Sequence, residues 1–242
     1  LASVVDALVV SLFDASLSRD SETAESLRSQ VAVVGLGSYA RRQCSPYSDV
    51  DLMILHRTRN PEEISTTFRP LTQGIFDIGL QLGHSIRTTS EAAQLARDDA
   101  VVCTSMIDSR LLIGSKELYD DFRSGFTKMI ERNKQSIIRS ILAARTAERD
   151  EYGTTVYLLE PHVKRSRGGL RDLNLLRWLG FVERGVSDPD RLQLLGAISK
   201  FDHRRLINTR QFLLRLRNAL HFSAVNCHDL LNRANQLEIA EK

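Results

Sequence analysis

Short apolar runs rich in β-branched residues punctuate the first third of the chain. Residues 31–34 form one run that ends at Gly35, residues 50–55 form a second, and residues 76–82 form a third. Runs of this length bounded by glycine or polar residues are typical of buried β-strands. The pattern therefore predicts three strands close together in sequence.

Helical patterns fill most of the remaining chain. Ser, Thr or Pro stands where several amphipathic stretches begin, as expected of helix N-termini. The predicted helices start near Tyr39, Pro61, Ser90 and Ser115, and later ones cover residues 122–150, 170–184, 190–199 and 204–222. We expect an α+β fold, with a small mixed sheet in a domain of residues 1–148 and an all-helical domain in residues 149–242.

Composition excludes several classes of protein. The 33 Lys and Arg residues barely exceed the 30 Asp and Glu residues, so charge alone does not predict a nucleic-acid-binding protein. The three cysteines are far apart and lack zinc-site spacing, which favours reduced thiols and a cytoplasmic location. No apolar run is long enough to span a bilayer. The first and last residues suggest a piece of a longer protein.

A glycine turn follows the first predicted strand. Gly37 allows close approach of the backbone to a ligand, and Ser38 adds a hydroxyl donor. A short helix is predicted directly after this turn, and the free N–H groups of a helix N-terminus suit phosphate oxygens. We therefore expect Gly37, Ser38 and the nearby Arg41 to contact a nucleotide.

Two carboxylates lie at the start of the second predicted strand. Asp49 and Asp51 are two residues apart, so their side chains point to the same face of a strand. Carboxylates this close repel each other unless a cation lies between them. Mg²⁺ prefers oxygen ligands and often shares them with substrate phosphates. A half-exposed strand whose aspartates merely face water is the simpler alternative.

A third carboxylate would complete such a metal site. Asp77 lies at the head of the third predicted strand. If that strand pairs with residues 50–55, Asp77 is placed to bind metal and accept a proton from an attacking hydroxyl. The alternative is an ordinary polar residue at the end of a strand.

Three stretches together resemble one enzyme family. Gly-Ser, ten further residues and Asp-Val-Asp resemble the nucleotidyltransferase superfamily of the DNA polymerase β type. The segments at residues 37–55, 77–87 and 159–172, the last ending Gly-Gly-Leu-Arg-Asp172, are similar to motifs of the bacterial PII uridylyltransferases. Arg217-Asn-Ala-Leu-His221 also fits this family.

The resemblance implies a polymerase β-like nucleotidyltransferase fold and a specific reaction. Members transfer UMP from UTP to a tyrosine of the PII nitrogen-signalling protein, with Mg²⁺ or Mn²⁺. Asp49, Asp51 and Asp77 are implied as the metal-binding catalytic carboxylates, and the helical domain is implied to close the nucleotide cleft. Family members continue with an HD hydrolase domain and two ACT domains.

The second half of the chain departs from the family pattern in one loop. His162 stands in place of Asn, and Arg165-Ser-Arg167 replaces a typical Glu-Gly-Pro. This basic loop precedes a glycine pair and a predicted helix, which suits a triphosphate. The candidate nucleotide ligands here are Lys164, Gly168, Gly169 and Arg171. The alternatives are a solvated basic loop, or pairing of Arg171 with Asp172.

Other readings of the sequence remain open. The same chemistry would serve a protein adenylyltransferase or an enzyme that extends RNA, and a catalytically silent nucleotide-binding module is a third possibility. His228-Asp229 spells an HD dipeptide, but further metal ligands are missing downstream, so an HD hydrolase site is rejected. The arginines of the last long helix, including Arg217, are expected on a solvated or salt-bridged face.

Overall fold

The computed structural model describes residues 1–17, 21–58 and 61–241, and it divides into two compact units. The first unit comprises residues 1–44 and 48–132. The second comprises residues 133–242 together with the short segment Ser45–Tyr47. The predicted boundary at residues 148 and 149 falls later in the chain, inside a long helix. That helix is kinked at Asn133, where the backbone leaves helical geometry and the second unit begins.

A four-stranded mixed sheet organises the first unit. The strands are β1 (Val31–Gly35), β2 (Val50–His56), β3 (Leu82–Arg87) and β4 (Arg110–Gly114), in the spatial order β3-β2-β1-β4. β1 pairs antiparallel with β2 and β4, whereas β2 and β3 are parallel. The strands predicted at residues 31–34 and 50–55 are confirmed. β4 was not predicted, because Arg-Leu-Leu-Ile is too short a run to show a period.

Helices cover this sheet and form the hydrophobic core with it. They are α1 (Ala2–Ser16), α2 (Ser21–Gln30), α3 (Gly37–Ala40), α4 (Pro61–Thr67), α5 (Arg69–Asp77), α6 (Thr89–Asp98) and α7 (Ala100–Ile107). Phe13 of α1 stacks on Phe68 just before α5, with ring centroids 5.2 Å apart. Both rings are buried together with Val33 of β1 and Leu52 of β2. The core therefore packs one face of the sheet against α1 and α5.

The strand predicted at residues 76–82 is wrong. Phe68, Leu71 and Ile75 are buried and recur at spacings of three and four, so the helical period prevails over the strand signal. Gly79 then ends α5 in the left-handed conformation at φ +80, and the Leu80 N–H donates to the Ile75 carbonyl. β3 consequently begins only at Leu82.

The second unit is helical. It contains the second part of α8 (Lys116–Tyr152), then α9 (Leu170–Arg184), α10 (Pro189–Leu194), α11 (Lys200–Ala224) and α12 (Arg233–Ala240). Trp178, Phe181 and Val182 bury the inner face of α9, and Leu220 of α11 is also buried. The predicted α+β class, a small mixed sheet followed by helices, is confirmed. None of the helices in the described parts of the chain is long and apolar enough to cross a membrane.

Val225 ends α11 in a strained conformation, which yields a prediction about stability. Its φ of 53 is left-handed, a region unfavourable for a β-branched residue, and its side chain is exposed. Val225→Gly should therefore raise the free energy of unfolding by about 1 kcal/mol. Urea unfolding followed by the fluorescence of Trp178, the only tryptophan, measures this change.

The reciprocal substitution provides the control. Gly185 ends α9 with φ 71, and a Cβ there would meet no atom within 4 Å. Gly185→Ala should therefore be destabilising through backbone strain alone. Val225→Gly being destabilising would contradict the assignment of strain to Val225.

Candidate active site

Asp49 directly precedes β2, and Asp51 is the second residue of this strand. Val50 and Leu52, which alternate with them, are buried in the core. Asp49 is exposed and Asp51 is half-buried. Asp51 shares its face of β2 with Met53 and Leu55, which are buried, so solvent reaches this face only at the start of the strand. Because Asp49 lies just outside the strand, the common face predicted for the two aspartates stays a prediction.

Two glycines enclose the Asp51 carboxylate. A Cβ built on Gly83 would lie 2.7 Å from Asp51 Oδ1, and one built on Gly37 would lie 3.7 Å from Oδ2. Gly83 is the residue of β3 that pairs with Asp51, and Gly37 adopts a positive φ of 53. The Leu36 N–H also donates to the Asp51 carbonyl at 2.9 Å. The glycine turn and the carboxylate therefore belong to one local arrangement.

Asp77 does not lie on the strand beside these carboxylates. It is the last residue of α5, it is exposed, and its Oδ1 accepts a hydrogen bond of 2.9 Å from Gln73. Glycine, rather than an acidic residue, pairs with Asp51 on β3. The prediction that a strand beginning at residue 76 places Asp77 beside these carboxylates is therefore wrong. Its role as a third metal ligand stays a prediction.

Arg41 is occupied by contacts within the first unit. Its guanidinium lies 2.6 Å from the buried Asp108 carboxylate, and its Nε donates to Gln43 Oε1 at 3.2 Å. Ser38 is half-buried, and its carbonyl accepts the Gln43 N–H. These bonds hold the turn after β1 in place, so the structure gives Arg41 a supporting position behind Gly37 and Ser38.

The basic loop of the second unit is rigidly built around His162. The His162 Nδ1 accepts hydrogen bonds from the backbone N–H groups of Lys164 and Arg165. Ser166 is buried, accepts from the His162 N–H and donates to the Tyr152 carbonyl. The His162 ring nitrogen therefore serves as an acceptor for the loop backbone.

The glycine pair closes this loop onto α9. A Cβ on Gly169 would lie 2.6 Å from the Val163 carbonyl, so no larger residue fits without a backbone shift. Gly168 has φ +83, and its N–H donates to Asp172 at 2.8 Å. These two glycines thus shape the backbone, while Lys164 and Arg171 supply charge.

An arginine that sequence reasoning missed anchors the loop from α8. Arg145 is buried; it donates to the Asp172 carboxylate at 2.7 Å and to the carbonyls of Arg165 and Ser166. Asp172 also pairs with Arg149 at 2.7 Å. The Asp172 carboxylate therefore pairs with two arginines of α8 rather than with its neighbour Arg171. A regular charged helix gives no sequence signal that one arginine is buried.

Lys164 differs from the arginines around it. Its ammonium group makes no ion pair with any residue that the structure describes, whereas Arg171 lies 3.6 Å from Glu148 and over the Trp178 ring. Burial lowers the pKa of Lys164, and the charges of Arg217 and Arg171 lower it further. The Asp229 carboxylate opposes this effect, and the contact of Lys164 with phosphate stays a prediction.

The C-terminal part of this unit matches a known family. Residues 136–242 match the family model described as GlnD PII-uridylyltransferase. The chain is 30% identical to a bifunctional uridylyltransferase/uridylyl-removing enzyme of Erythrobacter litoralis over 243 residues, which cover 100% of the chain and 26% of the relative. The relative of the same name in Methylococcus capsulatus is 35% identical over 213 residues, which cover 87% of the chain and 24% of the relative.

The chain is thus similar to the GlnD PII-uridylyltransferase family over most of its length. A bifunctional uridylyltransferase/uridylyl-removing enzyme of Vibrio vulnificus is also 29% identical over 211 residues. The resemblance drawn from the sequence motifs is therefore confirmed. The chain spans about a quarter of the length of these curated relatives.

The family-matched region contains a buried charge network. It joins Arg217 and His221 of α11 to Asp229 in the loop that follows this helix. Asp229 Oδ1 accepts from Arg217 Nε at 2.6 Å and from His221 Nε2 at 3.0 Å, and Oδ2 accepts from Arg217 at 3.2 Å. All three residues are buried. Of the two environments expected for the arginines of this helix, solvated or salt-bridged, Arg217 has the second, in a buried form. This part of the site was missed because burial of single polar residues leaves no periodic signal.

His221, Cys227 and Asp229 also form the only group of three potential metal ligands within 4.8 Å of one another among the described residues. Asp49, Asp51 and Asp77 do not form such a group. In the α11 network, however, the Arg217 guanidinium already neutralises the Asp229 carboxylate. A cation bound there would face this buried positive charge, so the network is better explained as an ion pair.

The arrangement at β2 fits a hard divalent cation. Asp49 and Asp51 are accessible to solvent and offer carboxylate oxygens, which are the donors that Mg²⁺ and Mn²⁺ prefer. Gly83→Ala should turn the Asp51 carboxylate away and weaken Mn²⁺ binding roughly ten-fold, as loss of a supporting contact does at other metal sites. Isothermal titration calorimetry measures the affinity.

A second glycine provides the matched control for this test. Gly125 is exposed in α8, and a Cβ there would meet nothing within 4 Å. Gly125→Ala should raise the free energy of unfolding by roughly 0.5–1 kcal/mol and leave Mn²⁺ binding unchanged. Equal Mn²⁺ affinity in Gly83→Ala and the parent protein would show that Asp51 does not bind the ion.

The Asp229 network yields a prediction for pH dependence. Burial by itself would raise the pKa of Asp229, but the hydrogen bonds and charges of His221 and Arg217 outweigh it, so this pKa lies well below its usual range. A lowered pKa in the folded protein stabilises it above the unfolded-state value of about 4, and this stabilisation is lost as pH falls through the folded-state pKa.

Asp229→Asn should lower the free energy of unfolding at pH 7 by about 3 kcal/mol, because Arg217 stays buried without a counter-charge. The difference from the parent protein should shrink below about pH 4. Urea unfolding followed by Trp178 between pH 3 and pH 7 measures it. Asp190→Asn, which breaks an exposed pair with His203, should cost less than about 1 kcal/mol. Equal costs for the two variants would contradict this account.

Proposed function

We propose that the chain is the nucleotidyltransferase part of a uridylyltransferase and transfers UMP from UTP to a tyrosine of a PII-type signalling protein. The observation that supports this most strongly is the position of Asp49 and Asp51. Asp49 is exposed and Asp51 is half-buried at the start of a buried strand, and Asp51 is enclosed by the glycine turn and by Gly83.

The proposed site residues divide into two groups. Asp49 and Asp51 hold Mg²⁺ or Mn²⁺, and Asp77 joins them as the third carboxylate on the strength of the family motif. Gly37, Ser38, Lys164, Gly168, Gly169 and Arg171 are the proposed nucleotide contacts, with Arg41 supporting the turn. When bound, the ion neutralises charge that develops on the phosphates.

The proposed reaction is an in-line displacement at the α-phosphorus of UTP. The tyrosine oxygen of the acceptor forms a bond to this phosphorus while the bond to the oxygen bridging to the β-phosphate breaks, which releases pyrophosphate. Asp77 is the proposed acceptor of the tyrosine proton. Lys164 and Arg171 contribute positive charge for the departing pyrophosphate. The product is a tyrosine-linked UMP, and the protein is proposed to act in the cytoplasm.

Replacement of both strand carboxylates tests this proposal. Asp49→Asn together with Asp51→Asn should abolish transfer, with a loss of at least about a thousand-fold, while the fold is retained. The measurement is the mass of a PII protein after incubation with the variant, UTP and Mg²⁺. Label from UTP, ATP, GTP and CTP is compared in parallel, so adenylyl transfer would be recognised as a different outcome.

Another Asp-x-Asp sequence in the chain provides the control. Asp188 and Asp190 flank Pro189 at the start of α10, and Asn caps a helix as well as Asp does. Asp188→Asn with Asp190→Asn should leave transfer unchanged. Undiminished UMP incorporation by the Asp49 and Asp51 double variant would remove the proposed mechanism, and binding of UTP without turnover would favour a silent regulatory module.

A further inference from the structure

The segment Ser45–Tyr47 lies between the glycine turn and the strand aspartates in sequence, yet it packs within the helical unit. The Tyr47 N–H donates to His221 Nδ1 at 3.3 Å, and the two rings lie 6.3 Å apart. Ser45 is fully buried. A short loop segment is thus held by a residue of α11 that is distant in sequence.

The hydrogen bonds of His221 define its tautomer. A backbone N–H can only donate, so Nδ1 must be the acceptor for Tyr47. The proton therefore resides on Nε2, which donates to the Asp229 carboxylate at 3.0 Å. Arg217 fixes that carboxylate from the other side at 2.6 Å. The chain of contacts from Arg217 to Tyr47 therefore has one consistent set of donors and acceptors.

Tyr47 is only two residues before Asp49. Consecutive Cα atoms are about 3.8 Å apart, so a fixed Tyr47 keeps the Cα of Asp49 within roughly 7 Å of its own. Residues 48 and 49 belong to neither a helix nor a strand. The hydrogen bond from Tyr47 is therefore placed to restrict the segment that leads into β2.

Asp229 also fixes the basic loop. The Asp229 carbonyl accepts the Val163 N–H at 2.8 Å, directly before Lys164, and the Leu231 N–H donates to the Pro161 carbonyl at 2.9 Å. His162 and Leu230 form an isolated antiparallel bridge. Through its side chain and His221, Asp229 holds the segment that contains Tyr47. Through its backbone carbonyl, it holds the basic loop at Val163.

We infer that Arg217, His221 and Asp229 are positioning residues that fix, from one buried point, the segment leading to Asp49 and the loop carrying Lys164. This inference rests on the proposed function for its catalytic meaning. The three residues touch neither substrate nor metal in this account. They act through the Tyr47 and Val163 backbones, so their loss changes how Asp49 is presented.

Substitution of His221 separates its two contacts. His221→Phe keeps a ring but removes both hydrogen bonds. In His221→Asn, the side-chain oxygen occupies a place near Nδ1, so it still accepts from Tyr47, whereas His221→Gln retains a donor near Nε2 for Asp229. His203→Phe is the matched control, because it breaks an exposed His–Asp pair on the same helix.

Amide hydrogen exchange at Tyr47 is the first measurement, and it does not depend on activity. Exchange at Tyr47 should accelerate on the order of ten-fold in His221→Phe and His221→Gln, and much less in His221→Asn. His203→Phe should leave it unchanged. Unaltered exchange in His221→Gln, or equal acceleration in the Asn and Gln variants, would overturn the inference. Unfolding curves from Trp178 identify any variant that does not fold. If His221→Phe does not fold, comparison of exchange at Tyr47 in His221→Asn and His221→Gln still tests the inference.

Metal dependence of transfer is the second measurement. The Mn²⁺ concentration for half-maximal UMP transfer should rise roughly ten-fold in His221→Phe and be partly restored in His221→Asn. A change in protein stability without this rise would show that the network is merely structural. Absence of transfer by the unaltered protein would refute the proposed function, whereas the exchange data at Tyr47 would still decide whether His221 fixes the segment.

Discussion

Burial of the central strand β2 is the constraint on which the site depends. β1 and β3 pair with it on either side, and its apolar residues lie in a core shared with α1 and α5. Val50 and Leu52 face that core, whereas Met53 and Leu55 are buried on the opposite face, so only the start of the strand leaves carboxylates accessible to solvent. A slip of one residue in register would move Asp51 to the face that Val50 and Leu52 bury, at a cost in desolvation. Burial of β2 thus decides where along the strand a carboxylate is accessible to a ligand.

Close approach of backbones refines that arrangement. Gly83 leaves room for the Asp51 carboxylate, and Gly37 turns the chain beneath it with a positive φ. In the helical unit, Gly169 similarly allows the loop to close on the Val163 carbonyl. Both candidate ligand-binding segments are therefore shaped by glycines and held from behind by buried charge pairs, Arg41 with Asp108 in one unit and Arg145 with Asp172 in the other.

Sequence reasoning succeeded where a signal is local or periodic. The strand at Val50, the Asp-x-Asp spacing and the helix from Leu170 to Arg184 each follow from a pattern within a few residues. It failed at α5, where β-branched and aromatic residues suggested a strand although burial of Leu71 and Ile75 follows a helical period. The Asp229 network was beyond reach, because its partners come from separate segments and no spacing rule links them.

The central claim is that Asp49 and Asp51 together hold the catalytic ion, and a crystal of the protein with Mn²⁺ and a non-hydrolysable UTP analogue tests it most directly. The anomalous signal of manganese locates the ion without reference to activity. The account predicts a peak about 2.1 Å from carboxylate oxygens of both Asp49 and Asp51, with nucleotide phosphate completing its ligands. A peak found only beside His221, Cys227 and Asp229, or no peak at β2 with nucleotide bound, would contradict it.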